Sequence, residues 1–141
     1  MAIGGNLHGT TLNGMGEVLA KMIAAMPHFA RFLASSAGIQ QVVGSEFMEN
    51  LNALPDTAPG PLYTSIYSPA DVTVTPNSSS MLTPVDGADV VNIDLGELCG
   101  AEPLHPDLPR DPMTMSQVLF GLTREAGQGA DSGTCVEPML D

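Results

Sequence analysis

The sequence predicts an α/β fold, a parallel sheet with crossover helices, on three observations. Short β-branched or aromatic runs alternate with helix-patterned stretches along the chain. The elements run in the order strand, helices, strand, loop, strand, loop, helix, which favours crossover connections. At 141 residues with 43% hydrophobic content, the chain is also long enough to build one core.

The elements follow in order. Met1 to Gly4 reads as the tail of a buried strand, followed by a glycine-rich turn over Gly4 to Gly9. From Gly14, Val18, Leu19, Met22, Ile23 and Met26 recur at helical spacing, and Phe29, Phe32 and Leu33 extend the apolar face beyond a break at Pro27. Ser45 caps a short helix through Met48, Leu51 and Leu54 that Pro55 stops, and Asp56 to Pro61 is a loop.

Leu62 to Ser68 is a strand closed by Pro69, and Val90 to Leu95 is a second, after the polar stretch Asn77 to Asp89. Asp111 before Pro112 offers an N-cap, and Thr114 with Gln117 offers a capping box, for a last helix through Val118, Leu119, Phe120 and Leu122. Residues 1–126 are thus expected to form the folded portion, and 127–141 a flexible Gly-, Ser- and Asp-rich tail that a disulfide could tether.

Charge removes one class of partner. Four basic residues against 16 acidic ones give a net charge of -12, which repels nucleic-acid phosphates. The N-terminus lacks the pattern of a secretory signal, and Lys21, His28 and Arg31 interrupt the apolar stretch 15–34, so neither export nor membrane spanning is expected from these residues. Cys99 and Cys135 could form one disulfide or remain two reduced thiols.

Asp71 and His105 each follow a predicted strand, where side chains of a parallel sheet converge on a crevice. An Asp that accepts from one imidazole nitrogen frees the other to take a proton from a nucleophile. Taken alone, Asp71 also fits a solvated turn former and His105 a surface loop residue.

The run Tyr63-Thr64-Ser65-Ile66-Tyr67-Ser68, two residues, then Asp71 with Val74 and Pro76, resembles the catalytic-acid segment of the class 2 and lipase B-like secreted triacylglycerol lipases. His105-Pro106-Asp107-Leu108-Pro109-Arg110-Asp111-Pro112 is similar to the segment that begins with the catalytic histidine of the bacterial members. Gly9-Thr10-Thr11-Leu12-Asn13-Gly14 and Gln40-Gln41 with Gly44-Ser45 resemble further segments of that family, so the likeness extends over nearly the whole chain.

The resemblance implies the C-terminal part of an α/β-hydrolase fold, with Asp71 and His105 as triad acid and base. It also implies a Cys99–Cys135 disulfide, a lipid or ester substrate, and a secreted parent protein. Helices after Gly14 would form an acyl-binding wall, with Leu19, Ile23, Met26, Phe29 or Phe32 as lining; ordinary core or an interface scar is the other reading of that stripe. No cofactor or metal is expected. Departures from the family are Val72 after the acid and Leu104 before the histidine, where many members carry an acidic residue, and Pro106 after the histidine.

No Gly-x-Ser-x-Gly nucleophile elbow occurs in the 141 residues. In the family that elbow lies upstream of the position matching Met1, so the expectation is a chain inactive alone, for which a complementing N-terminal half is one candidate partner. Cys99 is a weaker substitute nucleophile, because the disulfide accounts for it better. A non-catalytic module binding lipid or a partner through stretch 15–34 is the alternative.

Overall fold

The computed structural model describes residues 1–16, 18, 21, 25–26 and 36–136. Three strands, β1 (Ala2–Ile3), β2 (Leu62–Tyr67) and β3 (Asp89–Asp94), form a parallel sheet in the order β1-β2-β3. The register runs from Leu62↔Asp89 to Tyr67↔Asp94, and Ala2 and Ile3 face Ser65 and Ile66. The fold is therefore mixed α/β, as the alternation of patterns predicts.

β2 is the central strand. Thr64, Ser65, Ile66 and Tyr67 are all buried, so both of its faces are covered. Ile66, Ile93, Leu95, Leu108 and Phe120 form the core between the sheet and the C-terminal helix. That helix comes close to β2 because it carries Gly121: a Cβ there would lie 3.0 Å from Thr64 Cγ2.

Between β1 and β2 the described helices are α1 (Ser36–Gln40) and α2 (Glu46–Asn52). Ser45 caps α2 by accepting from Met48 N–H, as expected, and Met48 is the residue it buries. The helix ends at Asn52 with Ala53 as its C-cap, short of the expected stop at Pro55. The kink expected at Pro27 lies outside the described residues.

The connection from β2 to β3 holds a 3-10 turn, Asn77–Ser80, and no α-helix. After β3 the structure departs from the expected strand end. Leu95 does not extend the strand; it opens α3 (Leu95–Cys99), because the Asp94 carboxylate accepts from Gly96 and Glu97 N–H and so caps a new helix. Gly100, at φ +64°, closes it.

A 3-10 turn at His105–Arg110 leads into α4 (Pro112–Thr123). Asp111 is the N-cap, accepting from both the N–H and the hydroxyl of Thr114. The Thr114–Gln117 capping box is therefore not formed. Gln117 is fully buried and instead holds the tail, donating to Thr134 O and accepting from the Thr134 hydroxyl.

Cys99 and Cys135 are joined by a disulfide, and a short 3-10 turn at Ser132–Thr134 packs on α4 beside it. Arg124, with its side chain fully buried, pairs with Asp89 at 2.7 Å and donates to Tyr63 O and Gln128 O. One guanidinium thus ties the end of α4 to the starts of β2 and β3 and to the tail. No described helix is long and apolar enough to cross a membrane.

Candidate active site

Asp71 sits four residues past the end of β2, on a loop that the chain itself pins down. Its N–H donates to Ser68 O, and Asn77 Nδ2 donates to its carbonyl at 2.8 Å. The carboxylate is buried, and its two oxygens have separate roles. Oδ1 accepts from the N–H groups of Thr73 and Val74 at 2.8 and 3.0 Å, while Oδ2 lies 2.7 Å from His105 Nδ1.

An ionised carboxylate can only accept, so Nδ1 carries a proton, and in the neutral ring Nε2 presents a lone pair. The His105 side chain is about one-third exposed, at 34%, and among the described residues no hydrogen bond reaches Nε2. Pro106 fits the first turn of the 3-10 segment, where its missing N–H costs no bond. Val72 and Leu104, the two departures flanking the dyad, are each more than half exposed.

The histidine rests on the end of β1. Gly4, at φ +53°, donates its N–H to Ile66 O. A Cβ on this residue would lie 2.7 Å from Leu108 Cδ1 and 3.4 Å from His105 Nδ1, so only glycine suits both the backbone conformation and the space.

A second brace comes from the turn after β1. The Thr10 hydroxyl donates to Thr73 O at 2.6 Å and accepts from Leu12 and Thr75 N–H. Thr11 N–H donates to Thr75 O, and Thr75 Oγ1 accepts from Asn13 N–H. Thr10 also forms a parallel bridge with Val42. The acid loop is therefore held from a segment more than 60 residues earlier.

These parts enclose a cleft of about 320 Å³ that His105 borders with Asn6, Thr10, Leu12, Gln41 and Val74. Asn6 donates to Gln41 O, while its own Oδ1 is buried and has no hydrogen-bond partner among the described residues. Of the expected lining residues, Met26 is about half exposed and is not part of this cleft's wall. Leu19, Ile23, Phe29 and Phe32 lie outside the described residues, as does most of stretch 15–34.

Among the described residues, no Ser, Thr or Cys side chain hydrogen-bonds to His105. His8 has a different place: its ring contacts Asn52 Oδ1, Met81 O and Asp56 Oδ2, clasping the first turn to α2 and to the loops beyond. No three His, Cys, Asp or Glu residues gather to hold a metal among the described residues.

Asp71 and His105 are legible in the sequence, whereas Gly4, Thr10 and Asn77, which brace them, are not. The doublets Gly4-Gly5 and Thr10-Thr11 were the only local signals. Comparison with protein-family models and with curated proteins finds no match to this chain.

Proposed function

We propose that Asp71 and His105 are the acid and base of a carboxylic-ester hydrolase of the triacylglycerol-lipase type, in a chain that forms the C-terminal portion of an α/β-hydrolase fold. The observation that carries this reading is the 2.7 Å contact between Asp71 Oδ2 and His105 Nδ1, made by a buried carboxylate whose other oxygen is fixed by two backbone N–H groups. Both residues follow strands of a parallel sheet, the end at which such sheets assemble their sites.

In this role the carboxylate holds the ring in the tautomer with the proton on Nδ1 and stabilises the imidazolium. Nε2 accepts the proton of an attacking hydroxyl and returns it to the departing alcohol. The hydroxyl belongs to a serine on a Gly-x-Ser-x-Gly elbow that this sequence does not contain, so the chain alone has no ester-hydrolase activity.

The test has two arms. The purified chain is treated with a fluorophosphonate and with a chromogenic short-chain ester, and neither labelling nor turnover is expected. The DNA upstream of the Met1 codon is then read in frame for the elbow, about one crossover unit or roughly 30 residues away. Expression of the extended chain should produce ester hydrolysis that His105→Ala abolishes. An extended chain labelled by fluorophosphonate but indifferent to His105→Ala would overturn the reading, as would absence of the elbow.

A further inference from the structure

β3 is an outer strand of the sheet, and its exposure shows how it lies open. Asp89, Val90, Val91 and Asn92 are all partly exposed, whereas Thr64 to Tyr67 of β2 are all buried. Both faces of β2 are thus covered, whereas both faces of β3 are partly open, as at the margin of a sheet.

Two grooves run along that edge and meet at Val91. One, of about 470 Å³, is lined by Gly87 to Val91 and walled by Gly127 to Gly129. The other, of about 320 Å³, is lined by Val91 to Asp94 and walled by Glu97, Leu98 and Ala130. Together they follow all six strand residues, a length of about 20 Å.

Proteins ordinarily blunt such an edge with a lysine, a proline, a bulge or a covering segment. β3 reads Asp-Val-Val-Asn-Ile-Asp and pairs with β2 in unbroken register, with neither lysine nor proline; the segment Gly127 to Ala130 runs beside it as a groove wall, tied at one end by Gly127 N–H donating to Asp89 Oδ2, and forms no strand on it. Among the described residues no strand pairs on its outer side.

Charge selects the occupant. Antiparallel pairing with a second copy would join two chains of net charge -12. A cationic strand meets the opposite situation. Asp94 and Glu97 line one end, Asp86 precedes the other, and no Lys or Arg lines either groove. After burial, Asp94 and Glu97 are what raises the pKa of the nearby Tyr67 hydroxyl, a sign of the negative field at that end.

We infer that the outer edge of β3 is a docking site for an extended, lysine- or arginine-bearing segment of another protein, which adds to the sheet as a fourth strand. Main-chain hydrogen bonds supply the affinity, and the carboxylates at Asp94 and Glu97 select the basic sequence. This surface is separate from the Asp71–His105 cleft and does not depend on the hydrolase reading.

The test uses the full chain and a fluorescein-labelled, acetylated octapeptide of alternating Lys and Val. Anisotropy should show saturable binding, and hydrogen exchange should show new protection at the β3 amides. Glu97→Lys, on an exposed helix turn, should weaken binding about threefold at low salt. A peptide N-methylated at alternate residues keeps its charge but cannot form the ladder, and it should not bind. Equal binding of the methylated peptide, protection confined to other segments, or self-association that protects β3 without peptide would each overturn the inference.

Discussion

Asp71 Oδ2 meets His105 Nδ1 at 2.7 Å while Asp71 Oδ1 accepts from Thr73 and Val74 N–H, so one buried side chain both orients the imidazole and closes its own loop. Asp71→Asn should separate these roles. Its amide oxygen can still accept the two loop bonds, but the negative charge that fixes the ring tautomer is gone. The amide NH2 then faces Nδ1 as a donor, so nitrogen NMR should show the His105 proton moved from Nδ1 to Nε2, with little change in melting temperature. Asp71→Ala loses both roles and should cost about 2–3 kcal/mol in urea denaturation, the range expected for leaving two N–H groups short of an acceptor.

Gly4→Ala should disturb the same histidine from below. The new Cβ meets Leu108 Cδ1 at 2.7 Å, and the φ of +53° becomes strained for any side chain. A loss of about 1–2 kcal/mol is expected, with chemical-shift changes concentrated at His105 and Leu108. An unshifted His105 would show that β1 does not support the ring.

Arg124→Met should destabilise the chain by about 3 kcal/mol, because the carbonyls of Tyr63 and Gln128 lose their donor. Urea titration measures this directly.

The partner of Arg124 gives a pH signature. The Asp89 carboxyl lies below its ordinary value of 3.8, first because Gly127 N–H donates to it and then because Arg124 does. The lowered value means that the folded state favours the charged form. Its contribution is present above the unfolded value and is lost as pH falls through the folded one. Asp89→Asn should therefore flatten the acid limb of the stability curve below about pH 4. An unchanged limb would remove Asp89 from acid unfolding.

Reduction of Cys99–Cys135 opens a loop of sequence separation 36, for which chain entropy gives about 4 kcal/mol. The tail should then become cleavable near Gly127 to Gly133 in limited proteolysis. If reduction leaves that stretch resistant, the Gln117–Thr134 bonds alone hold it.

What was legible in the sequence was local. The Leu62 and Val90 strands, the Ser45 cap and the Asp111-Pro112 start are each written in a few adjacent residues, and the structure forms all four. The Asp94 cap was masked by the strand pattern running into Leu95, where an aspartate serves both as strand end and as helix start. Gln117 matched a capping box by spacing, yet its buried amide is used by Thr134. Arg124 and Thr10 join partners about 60 residues away, and such contacts leave no periodicity to read. The acid and the histidine were found because each follows a strand; the residues that brace them carry no such mark.

The link between Thr10–Asn13 and Thr73–Thr75 has a consequence for transplanting this site. A designer who grafts Ser68 to Pro76 onto another parallel sheet would bring the carboxylate without the clamp that shapes its loop. The two segments are one module written in two places. A graft must carry both, or the aspartate will lose its aim.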